Sequence, residues 1–116
     1  MMNVKTTIAA TLLLAGLALP SAAGQLTAAE LQKLAPGNYD VNVMGFIHMT
    51  IAMSPGGSIS GITSKKKRDT GIWSVQGEKL CIRWNRWLKG KTRCVGLSGS
   101  GGSYSGGGIW LRKSKP

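Results

Sequence analysis

The apolar positions of this chain change their spacing twice. From Ile8 to Leu19 they form a short unbroken run. Lys5, the only charge before residue 30, precedes it; Pro20 and the small residues Ser21-Ala22-Ala23-Gly24 follow. A basic start, a short apolar stretch and a small-residue site are the order of a secretory signal peptide, and the run falls short of the ~18 residues of a membrane span. Residues 1–23 are therefore expected to be a leader. Cleavage after Ala23 uses Ser21 and Ala23 as the small positions, and cleavage after Gly24 would use Ala22 and Gly24 instead. No cysteine follows the run closely, so a lipid-modified N-terminal cysteine is not expected.

The spacing then becomes helical for a short distance. Thr27-Ala28-Ala29-Glu30 has the form of a capping box, in which the Thr27 hydroxyl accepts from the Glu30 amide and Glu30 reaches back. Leu26 and Leu31 have hydrophobic-staple spacing, Leu31 and Leu34 continue one face, and Ala35-Pro36-Gly37 ends it. A helix over about 27–35 is too short to stand alone and must dock on something.

After Asn38 the period falls to two. Tyr39, Val41 and Val43 alternate with Asp40, Asn42 and Met44. Extended runs follow at Phe46–Met53, Ser58–Thr63, Gly71–Val75, Leu80–Trp84, Thr92–Leu97 and Ile109–Arg112. Ser54-Pro55-Gly56-Gly57 and Gln76-Gly77-Glu78 are turns, Lys65 to Asp69 is a charged loop or strand end, and Ser98 to Gly108 reads as flexible glycine-serine hairpin ends around Tyr104. Short strands between glycine turns predict a mainly β fold: one domain over residues 24–116, an antiparallel meander, small barrel or half-barrel of six to eight strands over about 39–113, with the short N-terminal helix. Strand patterning assigns Trp73, Trp84 and Trp110 to the core and leaves Trp87 open between core and surface. A weak echo, Gly56-Gly57-Ser58-Ile59-Ser60-Gly61 against Gly101-Gly102-Ser103-Tyr104-Ser105-Gly106, each followed by Gly-Ile-Trp, suggests two related turn-and-strand units.

Composition narrows the class. Of 116 residues 42% are hydrophobic and 16% charged, which is unlike a disordered chain. Two cysteines and one histidine are too few for a four-ligand zinc site, so no metal or other cofactor is expected. Without a C-x-x-C spacing, Cys81 and Cys94 in an exported domain read as a structural disulfide, a loop closure worth roughly 3 kcal/mol. Placing Cys81 opposite Cys94 sets Leu80 opposite Val95, Ile82 opposite Arg93 and Trp84 opposite Lys91, with a tip near Trp87-Leu88.

Charge points to partners. The chain carries +11, or +10 once Lys5 leaves with the leader. Lys65, Lys66, Lys67 and Arg68 form one cluster; Arg86, Lys89 and Lys91, interleaved with Trp84 and Trp87, form a second; Arg112, Lys113 and Lys115 form a basic tail. Guanidinium and ammonium groups meet phosphate or carboxylate, and an indole settles at a lipid interface or stacks on a sugar or base. The expectation is an exported, periplasmic or secreted, binding module for an anionic ligand. Its contacts are Lys65, Lys66, Lys67 and Arg68 at one edge and Arg86, Trp87, Lys89 and Lys91 at another. The candidate partners are anionic lipid, lipopolysaccharide or acidic polysaccharide, with extracellular nucleic acid bound only nonspecifically. Two other readings remain: a membrane-active cationic protein, and a carrier whose barrel interior, lined by Trp73, Phe46 and Trp110, holds an apolar ligand. Inhibition of a basic envelope-lytic enzyme is disfavoured, because both partners would be positive.

No enzyme is expected. His48 falls in a strand beside Phe46 and Thr50, and the carboxylates Glu30, Asp40, Asp69 and Glu78 are scattered, with Glu30 committed to the helix cap. There is no G-x-S-x-G elbow, P-loop or H-E-x-x-H.

The run Gly71-Ile72-Trp73-Ser74-Val75-Gln76-Gly77-Glu78-Lys79-Leu80-Cys81-Ile82-Arg83-Trp84, with Cys94 downstream, resembles a group of small secreted proteobacterial β-rich proteins of uncharacterised function. Leu26 to Leu31 and Gly37-Asn38 also look like that group. The resemblance implies export and a β-rich domain, and implies no activity and no catalytic residues.

Overall fold

The computed structural model describes residues 24–114; the expected leader lies outside them. One short helix, α1 (Ala28–Gln32), precedes nine strands: β1 (Gly37–Val43), β2 (Ile47–Met53), β3 (Ser58–Thr63), β4 (Arg68–Gln76), β5 (Lys79–Trp84), β6 (Thr92–Val95), β7 (Ser98–Ser100), β8 (Ser103–Gly106) and β9 (Ile109–Lys113). The capping box forms as its residues dictate: the Thr27 amide donates to Glu30 Oε1 at 2.9 Å and the Glu30 amide to Thr27 Oγ1 at 3.2 Å. The helix stops earlier than expected because the Lys33 and Leu34 amides already turn back to the Glu30 and Leu31 carbonyls.

All nine strands belong to one antiparallel sheet in the order β6-β5-β4-β3-β2-β1-β9-β8-β7. Its two edge strands are consecutive in the chain, joined only by Gly96-Leu97. A flat sheet of this many strands would be ~38 Å wide, whereas the link from Val95 to Ser98 reaches at most ~11 Å. The sheet must therefore curl into a half-barrel until its edges approach. The strand path splits at the link: β6 pairs with β5, and β7 with β8. At the seam, a Cβ on Gly106 would run into the Gly96 carbonyl, so glycine is needed there for backbone to meet backbone.

Period-two alternation supplies the core. Tyr39, Val41, Ile51, Met53, Ile59, Trp73, Leu80, Trp84 and Leu111 point into the curl and are buried, and Leu26, Leu31 and Leu34 close one end of it. The Tyr39 hydroxyl donates to the Leu34 carbonyl at 2.7 Å, which ties β1 to the chain leaving α1. Burial of that phenol, and to a smaller extent the nearby Tyr104, raises its pKa above the usual tyrosine value. Cys81 and Cys94 face each other across β5 and β6 and are bonded, with Leu80 opposite Val95 and Ile82 opposite Arg93, as the sequence register predicts. The disulfide fastens edge strand β6 to its only strand neighbour.

Three expectations are corrected. Trp110 is not in the core: it lies on the outer face, 53% exposed. The echo explains why. Ile59 and Tyr104 both face inward, but the tight Gly107-Gly108 turn between β8 and β9 shifts the following strand by one residue relative to β4, and such a shift turns every side chain over. Phe46 is outside strand β2 and does not line the interior. The glycine-serine segment is not a pair of loose hairpin ends. It forms β7 and β8, which accounts for the excess over eight strands, because close backbone approach at the seam calls for residues without side chains.

Candidate functional site

In an up-and-down sheet every second connection falls at the same end. The loops β1–β2 (44–46), β3–β4 (64–67) and β5–β6 (85–91) therefore share one end with the β8–β9 turn, while α1, the 54–57 turn and Gly77-Glu78 lie at the other. The two basic clusters, expected at separate edges, are thus neighbours. Lys65, Lys66, Lys67, Arg68, Arg86, Lys89 and Lys91 are all exposed at this end.

Asp69 joins the two loops. It is 5% exposed, at the start of β4. Its Oδ2 accepts from the Arg86 amide at 2.8 Å and the Trp87 amide at 2.9 Å, and its Oδ1 accepts from the Thr70 amide at 2.9 Å. The Arg86 guanidinium stands 3.5 Å from Oδ1 and also donates to the Arg68 carbonyl at 2.6 Å. Burial by itself would raise the Asp69 pKa; the amides of Trp87, Arg86 and Thr70 and the Arg86 charge outweigh it and hold the carboxyl below the usual range. Asp69 and Arg86 offset one another in charge, which leaves Lys65, Lys66, Lys67, Arg68, Lys89 and Lys91 to set the outward field of this end.

The β5–β6 chain does not continue as a straight hairpin. Beyond Arg83 opposite Thr92 the ladder ends, and Trp87–Gly90 makes a tight kinked turn, with Leu88 and Lys89 in left-handed backbone, folded over the end of the half-barrel. Trp87 becomes half-buried against Trp84, ring centroids 4.7 Å apart and tilted by 57°. Gly61 lies beneath the pair: a Cβ there would stand 2.9 Å from Trp84 and 3.0 Å from Trp87. Trp84 is core as expected, and Trp87 is its lid, with one edge near the surface.

Sequence reasoning did not anticipate the apolar members of this end. Met44 is 62% exposed, Phe46 84% and Leu88 51%. Met44 and Phe46 belong to the 44–46 loop and Leu88 to the 85–91 loop, next to Lys89, so all three lie at the end that carries the lysines. A further feature singles out the same loops. Among the described residues, the non-glycine residues with left-handed backbone are Met44, Lys66, Leu88 and Lys89. Such conformations cost side-chain-bearing residues energy and gather where function holds loops in a set shape. The Met44 amide donates to the Gly108 carbonyl at 2.7 Å and the Lys66 amide to the Thr63 carbonyl at 2.9 Å, so both tips are held by backbone bonds.

His48 and Thr50 share the outer face of β2, as alternation predicts, whereas Phe46 belongs to the loop. Among the described residues no three His, Cys, Asp or Glu side chains gather as a metal site needs. The arrangement offers exposed ammonium and guanidinium groups and exposed apolar side chains at one end of the sheet. No protein-family model matches the chain, and no curated protein or solved structure is significantly similar to it.

Proposed function

We propose that this protein is an exported binding module that docks on anionic lipid surfaces with the loop end of its half-barrel. The observation that carries this reading is the placement of exposed Met44, Phe46 and Leu88 among seven exposed cations at one end. Long-range attraction brings the lysines and arginines to the headgroups, and the apolar tips then enter the acyl boundary. A disulfide in so small a domain fits an oxidising compartment, and the expected leader supports the periplasm or the cell exterior as its place of work.

Binding to vesicles of anionic and of purely zwitterionic lipid, followed by tryptophan emission across a salt series, tests the proposal. The expected result is binding to anionic vesicles alone, weakened by salt, with a blue shift as Trp87 leaves water. Equal binding to both vesicle types, or none to either at low salt, would remove the basis of this reading. Release of an entrapped dye would instead favour the membrane-active alternative.

A further inference from the structure

Trp110 is a large apolar side chain on the outer face with no role in the core. It lines an open groove of about 840 Å³ spread over β7, β8, β9, β1, β2 and β3. Strand register orders the groove side chains in two rows. In one, Ser105 faces Trp110, Trp110 faces Asn42 and Asn42 faces His48. In the next, Arg112 faces Asp40 and Asp40 faces Thr50. A row four strands across spans three strand spacings, ~14 Å, the length of about three pyranose rings.

Asn42 is unusual within this row. Its Oδ1 is buried and accepts no hydrogen bond, although it borders a polar groove. A buried amide oxygen without a donor is costly, and a ligand hydroxyl reaches it only when the side chains covering it shift on binding. Beside it, Asp40 Oδ1 accepts from Ser114 Oγ at 3.0 Å and Thr50 Oγ1 at 3.4 Å, a carboxylate already arranged for hydroxyl donors. Arg112 and, at the margin nearest the loop end, Lys66 bring cationic donors, and Asp40 offsets one of the two charges, so the groove carries both signs.

We infer that this outer groove is a binding site for a neutral glycan segment of two to three sugar units, with Trp110 as its stacking platform. The C–H face of a pyranose ring is apolar and flat, and it covers an exposed indole well. The ring's equatorial hydroxyls each donate and accept. They meet acceptors at Asn42 in one row and Asp40 in the next, with the guanidinium donors of Arg112 beside Asp40. A polypeptide strand would instead seek the unpaired backbone of a sheet edge, and the groove lies on paired strands.

The test is an NMR titration of the disulfide-bonded protein with three soluble trisaccharides: β-1,4-linked N-acetylglucosamine, β-1,4-linked glucose and α-1,4-linked glucose. Saturable shifts of the Trp110 indole N–H and the Asn42 side-chain amide with at least one of them are expected. Trp110→Ala should weaken that binding about tenfold or more, by analogy with loss of an aromatic stacking partner. Asn42→Ala should weaken it less, and K89Q/K91Q, at loop-end residues that do not line the groove, should leave it unchanged. No saturable shift with any of the three would overturn the inference. So would shifts confined to other residues, or a concentration-dependent dimer abolished by Trp110→Ala with no response to sugar. Sugar-free vesicles test the loop end separately, so each reading can fail without the other.

Discussion

The lipid-docking proposal separates an electrostatic from an apolar contribution, and two variants should read them independently. The first replaces Lys65, Lys66 and Lys67 by Gln. The side chains are exposed, and the loop is held by the Lys67 amide on Thr63 Oγ1 at 3.1 Å and by backbone bonds, so its shape should persist. A Lys near an anionic surface contributes ~1 kcal/mol, so three together contribute about 3 kcal/mol. That corresponds to a loss of roughly 150-fold in partition coefficient at low salt. The second is Phe46→Ala. At 84% exposure nothing in the fold depends on the ring, and nearly all of it is free to enter the bilayer boundary. Burying a Phe side chain is worth about 1.5–3 kcal/mol, or roughly 10- to 150-fold. The assay is co-sedimentation with anionic vesicles at several ionic strengths. The triple variant should flatten the salt dependence, because the Debye length is ~10 Å at 0.1 M. Phe46→Ala should lower binding by a similar factor at every salt. If the triple variant loses no more than about twofold, the cations do not carry the attraction. If both variants share one salt slope, the division of labour is wrong.

Other consequences concern the scaffold that holds the loops. Removing the disulfide by Cys81→Ser with Cys94→Ser should cost about 3 kcal/mol and lower the thermal midpoint by roughly 10–20 °C, since β6 has one strand neighbour; an unchanged midpoint would show that the seam alone holds that edge. Gly61→Ala should displace the Trp84–Trp87 pair, with a cost of about 1–3 kcal/mol and an altered near-ultraviolet circular dichroism spectrum. Asp69→Asn should speed hydrogen exchange at the Arg86 and Trp87 amides while amides in β1 and β2 stay protected. Because the native Asp69 pKa is depressed, the unfolded chain binds more protons as pH falls. Its stabilisation is complete above the unfolded value of about 3.9 and is lost as pH drops through the lower folded value, and the Asn variant should lack that acid limb.

Local chemistry made much of this fold legible. The capping box at Thr27 and Glu30, the strand alternation from Tyr39 onward and the Cys81–Cys94 register each depend on neighbours within one element or one hairpin. Errors arose where placement depends on several hairpins at once. Trp110 has the same local Gly-Ile-Trp context as Trp73, and only the length of the preceding turn decides which face it takes. Phe46 sits beside a run of apolar strand residues and reads as one more of them, but the 44–46 loop takes it out of the ladder. Glycine-serine composition ordinarily marks a linker, yet here it meets the demand of a seam where Gly106 touches the Gly96 backbone.

The union of the two basic clusters was within reach of the sequence through parity. One turn, Gly77-Glu78, separates the loop at 64–67 from the loop at 85–91, and one turn, 54–57, separates 64–67 from the loop at 44–46. In any antiparallel meander, connections separated by one turn return to the same end, whatever the curl of the sheet. What parity cannot supply is Asp69, whose carboxylate pulls the 85–91 chain inward so that the loops touch rather than merely share an end. The charge distribution follows from this topology. Glu30 lies in α1 and Glu78 in a turn at the opposite end, while the loop end has Asp69 as its carboxylate, already neutralised by Arg86 and three amides. The field is therefore strongest where the apolar tips protrude. An anionic surface would draw the protein in with Met44, Phe46 and Leu88 already facing it, so that steering and insertion act along one axis.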